Sequence, residues 1–124
     1  MELSYTPIML YVTGIITMLP GLIFLAPGIF SKIILKFEPK DETTTLFVRH
    51  WALAIATMGA LIVCSVHVPA IRQHILIAAI VIKAAIVLLI LKAGSSELGK
   101  NLRGTAVFDT ICVVLYLLSI LEIT

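Results

Sequence analysis

Charge is what this sequence has least of. Only 13% of its residues are Asp, Glu, Lys or Arg, against roughly a quarter in an ordinary soluble domain. A net charge of +2 gives no case for nucleic acid as a partner. Cysteine is scarce as well. Cys64 and Cys112 make no CxxC pair, no zinc-ligand spacing and no disulfide framework. Their isolation argues against thiol–disulfide chemistry of the quinone-coupled membrane oxidoreductase kind. No GxSxG, HExxH, P-loop or GxGxxG signature occurs. The chain also lacks any Lys or Arg ahead of its first apolar run, which opens Met1-Glu2-Leu3-Ser4. A secretory signal needs a positive n-region, so residues 1–27 read as a retained first helix.

What is present is apolar length. Hydrophobic residues make up 60% of the 124, with a mean hydropathy of +1.15. A chain this small has too little interior to hide them, so lipid must be the solvent for most of its surface. A bilayer core about 30 Å thick takes about 20 apolar residues as a helix. Four segments qualify, over residues 7–26, 47–66, 72–91 and 104–123. Their many Val and Ile residues would suggest strands in water. Length decides for helices, because hydrocarbon satisfies no stray backbone groups. The expected fold is all-α: one integral membrane domain over residues 1–124, a four-helix transmembrane bundle in up-and-down order.

The connections refine this. Pro39-Lys40-Asp41-Glu42-Thr43-Thr44 is a polar break, and Gly94-Ser95-Ser96-Glu97-Leu98-Gly99-Lys100-Asn101 is a flexible loop. The short turn His67-Val68-Pro69-Ala70 makes the second and third helices antiparallel neighbours. Between the first helix and its loop lies 28–37, with Ile29, Phe30, Ile33, Ile34 and Phe37 on one helical face and Lys32 and Lys36 on the other. This reads as a short interfacial amphipathic helix with snorkelling lysines; the alternative is a tilted extension of the first helix. Small residues mark packing seams: Gly14, Gly21 and Gly28 beside Thr17, and Ala52, Ala56 and Ala60 beside Gly59. Pro20-Gly21 is expected to kink the first helix.

Orientation follows from the cations. One side carries Lys32, Lys36, Lys40, Arg49, Lys92, Lys100 and Arg103, and the other carries Arg72 alone. Positive residues stay in the cytoplasm, which puts both chain ends outside, in a bacterial inner (cytoplasmic) membrane.

The few polar groups inside the spans are the candidate site. Thr105, Asp109, Cys112, Tyr116 and Ser119 recur at four, three, four, three and form one stripe on an otherwise aliphatic fourth helix. That stripe faces the bundle, as hydrogen-bonding glue or as the wall of a pocket. Lys83 lies mid-membrane, ~16 Å from Arg72 and ~13 Å from Lys92 along the helix. A lysine there costs roughly 2.5–3.5 kcal/mol unless it finds a partner, water or a way to lose its proton. Asp109, ~9 Å in from Arg103, is the natural partner. Three readings stay open: a structural Lys83–Asp109 clamp, a proton or anion site, or Asp109 paired with Arg49 or His50. Arg49 and Trp51 suit the headgroup level, and His50 leads a face through Ala54, Thr57, Leu61 and Cys64. No two carboxylates share a helix face in mid-membrane. At the outer end Cys64, His67 and His74 lack an acidic or second thiolate ligand, so no metal site is expected.

The layout resembles the small DoxX-like four-helix membrane proteins. The carrying features are Phe24-Leu25-Ala26-Pro27-Gly28 at the end of the first helix, Arg49-His50-Trp51 opening the second with small residues up to Gly59, and an early Asp109 in the fourth. The resemblance implies an accessory, redox-associated subunit that binds a lipid or quinone, and it transfers no catalytic residue. Three functions are therefore carried forward. One is a protein binding an amphiphile in the bundle, alone, as a homo-oligomer or in a larger complex. Another is a proton-coupled transporter or channel using Lys83 and Asp109. The last is a membrane enzyme with His50, Asp109 and Lys83 as acid–base groups, which the missing motifs disfavour. A reporter active only outside the cytoplasm, fused after Thr124, tests the orientation. Activity is expected, and a silent fusion on a well-expressed chain reverses the topology.

Overall fold

In the computed structural model, which describes residues 5–123, helices are the only regular elements among the described residues. Helix α1 (Thr6–Met18) starts with Pro7 in its first turn, where a missing N–H costs nothing. Pro20 cannot donate to the carbonyl one turn back, and the chain tightens into a 3-10 turn at Leu19–Gly21. Helix α2 (Leu22–Leu25) then completes the first span, Thr6–Leu25. The expected kink is thus a short change of helix type.

Ala26, at φ −144° and ψ 79°, breaks the helix, and Pro27 starts α3 (Pro27–Ile34). Helix α3 stops before the expected residue 37. Its apolar face also divides. Phe30, Ile34 and the following Leu35 and Phe37 pack on the bundle, whereas Ile29 and Ile33 are left exposed beside Lys32. Lys36 ends the segment at a positive φ of 60°.

Helix α4 (Glu42–His67) begins five residues earlier than hydropathy alone suggests, because Asp41 caps it. The Asp41 carboxylate accepts from the Thr44 N–H at 3.1 Å. The hydrogen bonds from Thr44 hold that carboxyl below its ordinary range. Pro69 opens α5 (Pro69–Ala93), which stops at Gly94, where φ is +57° and a side chain would be strained. The expected flexible loop contains a turn and a short helix, α6 (Glu97–Asn101). Helix α7 (Arg103–Ile123) closes the bundle.

Four spans are long and apolar enough to cross a bilayer: Thr6–Leu25, Glu42–His67, Pro69–Ala93 and Arg103–Leu121. Their outward surface is a coat of exposed aliphatic residues such as Ile8, Leu25, Val81, Leu88 and Leu121. In water such a surface would aggregate; in acyl chains it is solvated.

The bundle consists of two closely packed pairs. Helix α1 lies against α4, α5 lies against α7, and α4 meets α5 beyond the turn. Backbones of α1 approach neither α5 nor α7 comparably. Glycine sets the α1–α4 distance. A Cβ on Gly59 would stand 2.6 Å from the Gly14 carbonyl oxygen and 2.8 Å from the Met18 nitrogen. Gly21 meets Ala56 in the same way, with 2.7 Å left for a Cβ. Gly28 is different: nothing lies within 4 Å of its would-be Cβ, so it belongs to no seam.

Two apolar cores result. Met9, Leu10, Ile62, Leu76, Cys112 and Tyr116 fill the half near the α4–α5 turn. Ile23, Leu35 and Ala52, with Trp51 and Leu102 against them, fill the half near α3 and α6. A Gly59→Ala substitution is expected to push α1 off α4 and to destabilise the protein by about 1–3 kcal/mol. Gly28→Ala is expected to leave stability unchanged or slightly raised. Unfolding of both variants in detergent checks the contrast.

Candidate functional site

Lys83 is a charged residue buried midway along α5. Lys83 follows Ile75, Leu76 and Ala79 on the buried face of that helix and is 4% exposed. Asp109 belongs to the buried stripe of α7 and is 7% exposed. Close packing of α5 on α7 brings them together: Lys83 Nζ donates to Asp109 Oδ1 at 2.8 Å. A second bond crosses to the other helix pair, from Lys83 Nζ to Thr17 Oγ1 at 3.0 Å. The Phe108 ring faces the same ammonium, 4.9 Å from its nitrogen to the ring centroid.

Helix α1 supplies acceptors in a regular way. Thr17 Oγ1 donates to the Thr13 carbonyl at 2.6 Å, and Thr13 Oγ1 donates to the Met9 carbonyl at 2.8 Å. Each hydroxyl hydrogen is thus engaged by its own helix, and the lone pairs point inward. Lys83 uses one of these oxygens. Tyr116, fully buried on α7, uses the other, donating to Thr13 Oγ1 at 2.7 Å. The standing-off helix α1 is therefore bridged to α5 and α7 by two hydrogen bonds between buried side chains.

Beside this cluster is a cavity of about 580 Å³, within the range of small-molecule sites. Along α4 it runs from Phe47 to Met58, eleven residues or ~16 Å. Its walls include Trp51, Ile55, Ile86 and Phe108, and its polar lining comes from Thr17, Lys83, Thr105 and Asp109. Exposed residues at the rim, Ile16 of α1, Leu19 of the 3-10 turn and Ile82 of α5, give it a lateral opening among surfaces that face lipid.

The candidate residues fall into three groups. Lys83, Asp109 and Thr105 reach the cavity. Cys112 and Tyr116 are buried in the core behind it, and Ser119 is buried with no partner for its hydroxyl among the described residues. Arg49 and His50 lie apart from the pair. Arg49 donates from Nε to the Phe24 carbonyl at 3.1 Å and stacks 5.1 Å from that ring. His50 is exposed, as are Ala54, Thr57, Leu61 and Cys64 on the same face, so that face turns outward. The alternative pairing of Asp109 with Arg49 or His50 is therefore not adopted. At the turn end Tyr11 and His67 hydrogen-bond to each other, and both cysteines are free thiols.

Two participants escape a reading by charge alone. Thr13 and Thr17, four apart in an apolar helix, are the signal that could have revealed the acceptor face. Arg72 counts toward topology in the sequence, yet it is 5% exposed. It donates from Nε to the Ser65 carbonyl at 3.0 Å and from Nη2 to the Val66 carbonyl at 3.1 Å, satisfying the end of α4.

Fold and site together define an integral membrane protein of four helices with an intramembrane ion pair beside an apolar cavity. Set against known proteins, the chain matches no family model, no curated protein and no solved structure. None of these comparisons supports the DoxX-like resemblance.

Removing one member of the pair strands the other charge in a dry interior. Lys83→Met or Asp109→Leu alone is expected to cost about 3–5 kcal/mol, and the double substitution is expected to recover most of that loss. A double-mutant cycle of unfolding in detergent measures both.

Proposed function

We propose that this small membrane protein binds an amphiphile, a lipid or a quinone-like molecule, in the cavity between its two helix pairs. One observation carries the reading: an elongated apolar cavity of about 580 Å³ ends on Lys83 and Asp109. The apolar walls accept a chain or ring, and the ion pair with Thr105 and Thr17 receives the polar end. Ligand would enter through the rim at Ile16, Leu19 and Ile82, from the bilayer rather than from water. In this reading the protein lies in an inner membrane with both ends outside and serves as an accessory subunit, as a homo-oligomer or in a larger complex.

A proton-coupled transport role draws on the same ion pair, but among the described residues no hydrogen-bonded relay leads away from it. Thr17 donates to the backbone carbonyl of Thr13 and not to its hydroxyl, so the hydrogen bonds from Lys83 toward Tyr116 do not connect through exchangeable protons. An acid–base enzyme would require His50 near the pair, and His50 is exposed on the opposite kind of surface.

Filling the cavity tests the proposal without disturbing the charges. A Cβ at Gly104 meets nothing within 4 Å, and Ile55 borders the same space. Native mass spectrometry of protein extracted in mild detergent is expected to detect a co-purifying amphiphile. Gly104→Leu and Ile55→Trp are expected to lose most of it while melting as the parent does. Equal retention in all three proteins would remove the cavity from consideration.

A further inference from the structure

The cavity's polar end constrains the ligand's charge, an inference that rests on the amphiphile reading above. Lys83 and Asp109 are joined at 2.8 Å, and among the described residues no other Asp, Glu, Lys or Arg lines the cavity. The polar end is therefore neutral as a unit. A carboxylate or phosphate entering beside it would put two negative charges against one positive in a medium of low dielectric. An ammonium would create the opposite excess. Either ion would leave one charge buried without compensation, and that penalty exceeds what a hydrogen bond returns.

Hydrogen-bonding capacity is nevertheless left over. Lys83 has three N–H donors, and Asp109 and Thr17 engage two of them. Asp109 accepts at Oδ1, and among the described residues no hydrogen bond reaches its second oxygen. Thr105 lines the cavity, and its hydroxyl likewise has no hydrogen bond among the described residues. One donor, one acceptor and one group that does both lie at one end of an otherwise apolar space. A hydroxyl matches this set, since it accepts from Lys83 while donating to Asp109. A carbonyl matches the Lys83 and Thr105 donors.

We infer that the cavity selects amphiphiles with an uncharged head bearing a hydroxyl or carbonyl oxygen, and that it rejects fatty-acid anions, phospholipid headgroups and alkylammonium ions. Neutrality of the Lys83–Asp109 pair is the selectivity device. The pair works as a positioned donor and acceptor, and its charges cancel toward any third group.

Three probes with one shared chain separate the outcomes: hexadecanol, palmitate and hexadecylammonium. Wild-type protein, stripped of its own ligand by detergent exchange, is offered each near neutral pH, and retention is read by native mass spectrometry. Hexadecanol is expected to exceed both ions by on the order of tenfold or more. Asp109→Asn leaves Lys83 uncompensated and is expected to swing the preference to palmitate. Lys83→Met is expected to swing it to hexadecylammonium. An ion retained by the wild type as well as the alcohol overturns the inference, and so does an unchanged ranking in both variants. If a variant does not fold, the wild-type ranking decides alone. Should no probe bind while Gly104→Leu still strips a natural ligand, the head-group inference falls and the cavity reading stands. Should no probe bind and Gly104→Leu retain the same molecules as the parent, both fall.

Discussion

An ammonium group cannot remain bare in hydrocarbon, and much of this bundle's interior is arranged around that constraint. Lys83 sits on the inward face of α5, midway along a span of 25 residues. Aspartate from α7 and threonine from α1 converge on it, so three of the four spans meet at one nitrogen. The threonine is a suitable acceptor because its own hydrogen is already given to its helix. The ion pair need not add net stability to shape the fold. It specifies which faces turn inward, since any rotation of α5 or α7 would expose a charge to lipid.

Packing elsewhere is close where residues are small and open where they are not. Gly14 and Gly59 let α1 and α4 touch backbone to backbone, a close approach that gains van der Waals packing in a membrane. No comparable seam joins α1 to α5 or α7. Bridging there falls to the long side chains of Lys83 and Tyr116, which hold the backbones apart. Lys83 and its partners Thr17 and Asp109 also line the cavity. Cavity and polar cluster are thus products of one arrangement.

The spans were legible because hydrocarbon leaves little choice: long apolar runs must be helices, and ionised groups within them must turn inward. Asp109 and its stripe could be read from a spacing of four, three, four, three, and Lys83 from its depth. Faces determined by neighbours were harder to read. His50 heads a polar-looking row, yet which side of α4 is inner depends on the glycine contact with α1. Gly28 continues a seven-residue series with Gly14 and Gly21, but the break at Ala26 destroys the register. Thr13 and Thr17 were inconspicuous because threonine in an apolar helix satisfies itself. Arg72 marks one side of the membrane in the sequence, but its burial follows from the turn at Val68, which folds it back over the last carbonyls of α4. The cavity was legible only as a condition on the amphiphile reading, since its volume depends on how far the pairs stand apart.

The short turn at Val68 carries a mechanical consequence. It is the one covalent link between the two helix pairs, and it lies at the end remote from the cavity. The glycine seam makes α1 and α4 a stiff plate, and α5 with α7 forms a second. Away from that turn the two plates are joined by the Lys83–Thr17 and Tyr116–Thr13 bonds and by Asn101 Nδ2, which donates to the Lys36 carbonyl at 3.5 Å. Separating the pairs at the cavity end would stretch these bonds while leaving the Gly14–Gly59 contact in place.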